Sequence, residues 1–304
     1  MRKFRWLLLP AALFWLTGYE AQSLDECLAE TTAACAIDQA VLAARKISKQ
    51  TLRATAYSYI ARVQADAGRD SDARAHLAQV SLLKREIQEP GLRDGISANQ
   101  VRVHAMLGEF GEALAFAESI GNPLAAVRAW SWVAESQARA GDNAGADQSI
   151  ERALAAAAEL PMEQMAYPMA LMAIAKAHEG EREEALAAAG AALDLASRYN
   201  DELWQARVAS LAAVARAAAG ERCQAAESLA RAEAHLSRMV ADGAPVEKHG
   251  SALAFIAWAE ALSGDRERAR TRLEPLKELI RDLPDHYWRS IYMSAIALVL
   301  EKAN

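Results

Sequence analysis

Residues that interrupt helices are scarce in this sequence. Among 304 residues there are only 15 glycines and 8 prolines, which excludes a collagen-like chain and a disordered chain rich in these two residues. Leucine, isoleucine, valine and phenylalanine supply only 63 residues, near the low end for a globular chain. The excess is in alanine, at 72 residues. Since alanine has the highest helix propensity and is depleted in strands, we predict an all-α protein whose helices pack closely.

The motifs of common enzyme classes are also missing. The sequence contains no Gly-x-x-x-x-Gly-Lys-Ser/Thr phosphate loop, no Gly-x-Gly-x-x-Gly dinucleotide pattern and no Gly-x-Ser-x-Gly nucleophile elbow. None of the six histidines is spaced as a metal ligand with another histidine or a cysteine. We therefore predict a protein that is not an enzyme and that binds no metal and no cofactor.

Residues 1–23 differ in composition from the rest of the chain. Three basic residues precede an uncharged, mostly apolar run of 14 residues, and Ala21 and Ser23 suit cleavage before Leu24. This layout is typical of a secretory signal peptide, so we expect an exported protein, periplasmic or secreted. The apolar run is shorter than a membrane span. A retained signal anchor is the alternative.

Cleavage after residue 23 would leave 31 basic and 39 acidic residues, a net charge of −8. This balance, without any basic block, argues against nucleic acid or anionic lipid as the partner. No later segment is apolar enough to predict an integral membrane span, because charges interrupt the alanine-rich stretches.

Three cysteines remain after the predicted cleavage site. In one continuous helix Cys27 and Cys35 would lie about 12 Å apart, too far for a disulfide. An oxidising compartment permits a bond between them, but only if the helix ends near Ala33. Cys223 is expected to be a small buried residue.

One local pattern recurs six times. A glycine has alanine three positions before it and five positions after it in every copy, and an acidic residue follows it in five copies. The spacing of these glycines is 33 to 44 residues, and they are Gly68, Gly108, Gly141, Gly180, Gly220 and Gly264. Turn-forming residues such as Asn122-Pro123 separate successive copies. Each copy therefore predicts a helix A, a tight turn with a left-handed glycine, and a helix B.

This unit resembles the tetratricopeptide repeat (TPR). The small residue seven positions before the glycine, the Gly-Asp/Glu turn and the alanine five positions after it match that family over roughly residues 50–280. Two features depart from the family: the residue four before the glycine is polar or charged instead of aromatic, and the period is mostly near 40 instead of 34. A HEAT-type or other αα-solenoid is the alternative.

The resemblance implies a right-handed αα-superhelix of about six hairpins. We divide the chain into a signal peptide (1–23), an N-terminal capping hairpin (24–50), a TPR-like array (51–283) and a C-terminal capping helix (284–304) that is expected to lack a partner. The alanines three before the glycines are expected to be buried, so that a change to leucine would cost about 1–3 kcal/mol. They are Ala65, Ala105, Ala138, Ala177, Ala217 and Ala261.

By resemblance to TPRs, the positions two, six, ten and thirteen before each glycine face a concave groove. They include Arg62, Asp66, Arg102, Met106, Arg128, Glu135, Arg139, His178, Arg207 and Trp258. Five arginines on an acidic chain favour a carboxylate-bearing ligand, and a tryptophan suits a binding hot spot. The alternative is that these arginines pair with acidic residues of adjacent helices. Four further tryptophans are expected in helix packing: Trp130, Trp132, Trp204 and Trp288.

We therefore predict an exported, non-enzymatic scaffold that binds a protein or peptide in the bacterial cell envelope. An acidic segment is the candidate partner, and nucleic acid is not. One alternative is a structural component of an envelope assembly. The other is a helical enzyme that acts on cell-wall polysaccharide through paired carboxylates.

Overall fold

The computed structural model describes residues 22–303 of the chain. The signal peptide predicted for residues 1–23 therefore lies outside the described residues, apart from Gln22 and Ser23. Between residues 22 and 303 the structure contains fifteen α-helices, one short 3₁₀ turn and no strand. The prediction of an all-α fold built from helical hairpins is confirmed.

The helices alternate along the chain between an inner set, which surrounds the centre of the molecule, and an outer set. The inner set is α3 (Gln50–Asp66), α5 (Pro90–Met106), α7 (Pro123–Arg139), α9 (Ala166–Glu179), α11 (Glu202–Ala218), α13 (Val246–Leu262) and α15 (His286–Ala303). The outer set is α2 (Ala33–Arg45), α4 (Asp70–Arg85), α6 (Phe110–Glu118), α8 (Asn143–Ala157), α10 (Arg182–Ala196), α12 (Arg222–Ala241) and α14 (Arg266–Arg281). The short α1 (Leu24–Ala29) precedes α2, and the 3₁₀ turn (Met162–Met165) precedes α9.

The six repeat glycines end the inner helices as predicted. Their φ angles lie between +69° and +91°, the left-handed region that a residue with a Cβ enters only at a cost. At Gly141, the glycine N–H donates to the Ala138 carbonyl (3.0 Å) and the Asp142 N–H donates to the Gln137 carbonyl (2.9 Å). This is the Schellman pattern, which satisfies the last carbonyls of a helix. The same pair of bonds recurs at the other five glycines.

The alanines at fixed offsets lie where the helices approach each other. All six alanines five positions after the glycine are buried, as are the residues seven positions before it. Of the six alanines three positions before the glycine, four are buried, whereas Ala65 and Ala217 are only partly buried. These two lie in the last turns of α3 and α11, so the prediction of burial is wrong for them.

The polar residues four positions before the glycines join each inner helix to its outer partner. In four of the six copies this side chain hydrogen-bonds to the residue twelve positions later, which lies eight positions after the glycine. The pairs are Gln64 with His76, Gln137 with Ser149, Arg216 with Ser228 and Glu260 with Arg272. In a fifth copy His104 stacks on Phe116, with ring centroids 5.4 Å apart.

The inner helices close into a ring of seven. Each packs on the next from α3 to α15, and α15 also packs on α3. The N-terminal α2 takes the outer place beside α15, so that the first and last segments form a seventh hairpin. The Ser290 hydroxyl donates to the Ala40 carbonyl (2.9 Å), and Lys302 pairs with Asp66 of α3 (2.8 Å). The C-terminal helix, expected to lack a partner, is thus paired because α2 and α15 each cover the other's apolar face.

A disulfide joins Cys27 of α1 to Cys35 of α2. The chain leaves the helical path between Ala29 and Ala33, and the two Cα atoms are therefore only 5.8 Å apart. Cys223 does not match the expectation of burial, because it lies in the first turn of α12 on the exposed side. Within residues 22–303, no helix combines the length and the apolar character that crossing a membrane requires.

Candidate ligand-binding site

The ring of inner helices encloses a cavity of about 410 Å³ around their N-terminal halves, here named the N-terminal cavity. All seven inner helices contribute to its lining. Much of the lining is apolar or aromatic, and it includes Tyr59, Leu171, Phe255, Trp258, Trp288 and Ile291. The volume lies within the range of small-molecule sites in proteins.

Four arginines from four inner helices line the N-terminal cavity. They are Arg62 of α3, Arg102 of α5, Arg128 of α7 and Arg207 of α11. No aspartate or glutamate occurs among the described residues of this lining. Within the described part of the chain, none of the four guanidinium groups lies within 4.0 Å of a carboxylate oxygen. The four guanidinium groups therefore form no direct ion pair in the described cavity wall, although the charge of the nearby Glu135 acts on Arg62 and Arg102.

Aromatic rings hold these arginines in place. Arg102 and Arg128 lie 4.8 and 4.9 Å from the centroid of the Trp132 ring. Arg207 lies 5.0 Å from the Phe255 ring, and Arg62 lies 5.7 Å from the Trp258 ring. A guanidinium stacked on a ring keeps its N–H groups free for a ligand, because the ring contact uses the face of the group and not its edge.

Several buried donors of this wall have no hydrogen-bond partner within residues 22–303. They are Nε of Arg62, Arg128 and Arg207 and, outside the lining itself, the indole Nε1 of Trp132, the ring on which Arg102 and Arg128 stack. Burial and the positive charge of Arg62 lower the pKa of Arg102 to about 10. The lowered pKa shows that the charged form of Arg102 is disfavoured in its surroundings. The unpartnered donors show that nearby acceptors do not satisfy them, and a buried donor without an acceptor is costly.

A chamber of about 30 Å³ adjoins the N-terminal cavity and is here named the arginine niche. Seven of its nine lining residues also line the larger cavity. The nine are Ser58, Tyr59, Arg62, Asn99, Arg102, Arg128, Trp132, Tyr167 and Phe255. Three of the four unpaired arginines therefore converge on one small space.

A second cavity, of about 340 Å³, lies at the C-terminal ends of the inner helices and is here named the C-terminal cavity. It shares Arg62, Arg102 and Trp258 with the first, so these residues stand between the two. Its carboxylates are paired with cations: Asp66 with Lys302 (2.8 Å) and Glu135 with Arg139 (2.9 Å).

The cations around Glu135 keep it ionised. Burial opposes the charge of Glu135, but Arg139 and then Arg102 lower its pKa below the ordinary value. His178 lies outside both cavities, exposed, with its Nε2 atom 3.1 Å from Nε of Arg139.

The structure brings together most of the predicted groove residues. Nine of the ten line one cavity or both; His178 does not. Of the five arginines, Arg139 alone pairs with a carboxylate among the described residues, and that carboxylate belongs to Glu135 of the same helix and not to an adjacent one. Ring closure turns the expected open groove into an enclosed space.

One row of cavity residues was not predicted. The residues nine positions before the glycines all line a cavity, whereas most of those ten positions before are buried between helices. The row is Tyr59, Asn99, Trp132, Leu171, Leu211 and Phe255. Trp132 and Trp288, expected in helix packing, line cavities as well. Aromatic residues at the same offset in three copies were the signal in the sequence.

Among the described residues, one group of carboxylates is close enough together to hold a metal ion: Asp147, Glu179 and Glu181. The Lys176 ammonium lies 2.5 to 2.8 Å from an oxygen of each. Burial works against its charge, but the three carboxylates raise the pKa of Lys176. The group thus forms a four-membered ion cluster on the outside of the ring.

Comparison of the chain with family models, with curated proteins and with solved structures finds no match.

Proposed function

We propose that this chain is an exported, non-enzymatic binding protein whose ring holds an anionic ligand. The observation that supports this proposal is the set of four arginines in an enclosed cavity without a carboxylate partner. Export is inferred from residues 1–23, and the disulfide between Cys27 and Cys35 suits an oxidising compartment.

The chemistry of the wall favours an anion over a neutral ligand. A guanidinium presents a planar fork of donors that matches a carboxylate or a phosphate. The four groups are half-buried and form no direct ion pair with any described residue, so an anion gains strong hydrogen bonds and relieves the repulsion between Arg62 and Arg102.

The shape of the ring restricts how a partner enters. A closed ring has no open side, so a peptide reaches the cavities only by passing a free end through one end of the ring, past the N-terminal or the C-terminal ends of the inner helices. The proposed partner is accordingly the free end of an acidic peptide or protein segment. Two other functions stay as alternative predictions: a structural component of an envelope assembly, and an enzyme that cleaves cell-wall polysaccharide.

A labelled acidic peptide tests this proposal. Fluorescence anisotropy would measure binding of a linear hexaglutamate and of the same peptide cyclised head to tail. We expect the linear form to bind and the cyclic form to bind at least tenfold more weakly, because it has no free end to insert.

Matched arginine variants complete the test. We expect Arg128→Gln and Arg207→Gln each to weaken binding of the linear peptide by tenfold or more. The control is Arg152→Gln, because Arg152 also stacks on a ring, that of Trp130 at 5.0 Å, but lies on the exposed outer surface. Equal binding by all three variants would contradict the proposal.

A further inference from the structure

The arginine niche is built for a group of a few atoms. Its volume of about 30 Å³ exceeds what a single water molecule needs, and it opens from a cavity more than ten times larger. A ligand that fills both spaces therefore has a small head group and a larger body.

Charge balance distinguishes between kinds of anionic head group. Arg62, Arg102 and Arg128 bring three positive charges to the niche, and the described residues of its lining include no acid. A carboxylate offers one negative charge and two acceptor oxygens, so even with the nearby charge of Glu135, which Arg139 shares, it does not balance the three arginines. A phosphate monoester carries a charge of about −1.5 to −2 near neutral pH and offers three strong acceptor oxygens.

The donors of the niche also suit a tetrahedral group. The unpartnered Nε of Arg62, Nε of Arg128 and indole Nε1 of Trp132 come from two different inner helices, α3 and α7. Donors that converge from different sides of a ring match oxygens that point in different directions, which a planar carboxylate does not provide.

The part of the N-terminal cavity outside the arginine niche favours a ligand with an apolar body. Beyond the niche, the N-terminal cavity is lined by Leu171, Leu211, Trp288, Ile291 and Leu298 among others. Burial of an apolar group against these side chains is favourable by about 25 cal/mol per Å². A bare inorganic anion would leave this wall without contacts.

We propose that the N-terminal cavity binds a phosphate monoester on an apolar organic body, with the phosphoryl group in the arginine niche. This inference rests on the proposed function, since it names the anionic group that the ring recognises. The same chemistry is available from a small organic phosphate or from a phosphorylated side chain near the free end of a peptide.

Isothermal titration calorimetry with ligands of one shared body tests the inference. Phenyl phosphate, phenyl sulfate, benzoate and inorganic phosphate are titrated into the mature chain. We expect phenyl phosphate to bind at least tenfold more tightly than each of the other three. A peptide ending in phosphotyrosine distinguishes the two sources of the phosphate. If it binds more tightly than phenyl phosphate, the ligand is a phosphorylated peptide. If it binds more weakly, the ligand is a small organic phosphate.

Variants link the preference to the niche. Arg62→Gln and Arg128→Gln should each weaken phenyl phosphate binding by tenfold or more, with melting curves recorded to show that each variant is folded. Arg152→Gln is the control, because Arg152 stacks on the Trp130 ring at 5.0 Å but lies on the exposed outer surface, away from both cavities. Binding of phenyl phosphate to the native chain should also weaken below pH 6, because the phosphate takes up a proton near its second pKa of about 6.

The outcomes separate this inference from the proposed function. Benzoate that binds as tightly as phenyl phosphate, yet loses affinity in the niche variants, would overturn the phosphate assignment and leave an anion-binding ring. If inorganic phosphate binds as tightly as phenyl phosphate, the proposal that the ligand carries an apolar body is wrong. Anions whose affinities do not change in any arginine variant would overturn both proposals.

Discussion

At the scale of single residues, backbone conformation separates two kinds of glycine in this chain. Gly180 ends α9 with a φ of +87°, whereas Gly190 lies inside α10 without a positive φ. An added Cβ would meet no atom within 4 Å at either position, so only the backbone distinguishes them.

We therefore expect opposite effects from the same substitution. Gly180→Ala should lower the free energy of unfolding by about 1–2 kcal/mol, because it forces a residue with a Cβ into the left-handed region. Gly190→Ala should raise it by about 0.4–1 kcal/mol, because alanine has less entropy to lose on forming a helix. Urea denaturation followed by circular dichroism measures both, and a loss at Gly190 would contradict the assignment.

Single residues also show which features could be predicted from the sequence and which prediction was wrong. The turn glycines were predictable because only glycine adopts their conformation without strain. The cavity row was missed by one residue, since groove offsets were carried over from a shorter repeat. One residue corresponds to about 100° of rotation on a helix. That rotation makes Ala98 and Ser131 helix contacts, and it makes Asn99 and Trp132 cavity walls.

At the scale of helical hairpins, the polar pairs between inner and outer helices replace the aromatic packing expected of the repeat. Glu260 of α13 has no exposed surface and binds Arg272 of α14 at 2.6 Å and Arg268 at 3.0 Å. A buried carboxylate that loses its main partner keeps its desolvation cost without compensation.

Removal of Arg272 tests this view of the hairpin. Arg272→Ala should lower the free energy of unfolding by roughly 3 kcal/mol, the lower end for a broken buried pair, since Arg268 remains. Arg281→Ala removes an exposed pair with Glu278 in the same helix and should cost below about 1 kcal/mol. Denaturant unfolding of both variants gives the comparison, and equal losses would show that burial of Glu260 does not matter.

These pairs could not be recognised from the repeat pattern. The two positions are constant, but the residues that fill them change from Gln–His to Gln–Ser, Arg–Ser and Glu–Arg. The two positions stay complementary in every one of these copies, although the residue types that occupy them differ. A search for repeated residue types therefore finds the glycines and alanines and passes over these contacts.

At the scale of the whole molecule, closure of the ring determines the size of the particle in solution. A compact chain of this length has a radius of gyration of about 19 Å, and an open array of hairpins is larger. Ser290 is completely buried in the contact between α15 and α2. An indole at this position cannot be accommodated.

Small-angle X-ray scattering therefore tests closure. The native chain should have a radius of gyration of about 19 Å. Ser290→Trp should have a clearly larger radius of gyration and an unchanged helix content. Ser197→Trp, on the exposed end of α10, is the control and should leave the radius unchanged. An unchanged radius in Ser290→Trp would contradict the role of this contact.

Closure had no signal in the sequence. The helices that meet, α2 and α15, carry neither a repeat glycine nor the alanine offsets. Whether hairpins close into a ring depends on the small rotation from each unit to the next, which accumulates over the array. No single residue encodes this sum, so the hairpins were predictable and the ring was not.

The contact between Ser290 and Ala40 spans 250 residues, and this distance bears on how the protein folds. Hairpins depend on local contacts and form early, whereas a contact between the two ends carries the largest loop-closure cost. During folding, α2 has no partner until α15 docks beside it. Trp288, Ile291 and Leu298 of α15 line the N-terminal cavity, so the cavity is incomplete before that step. The cavity is therefore completed when α15 docks, and does not grow in proportion to the number of repeats.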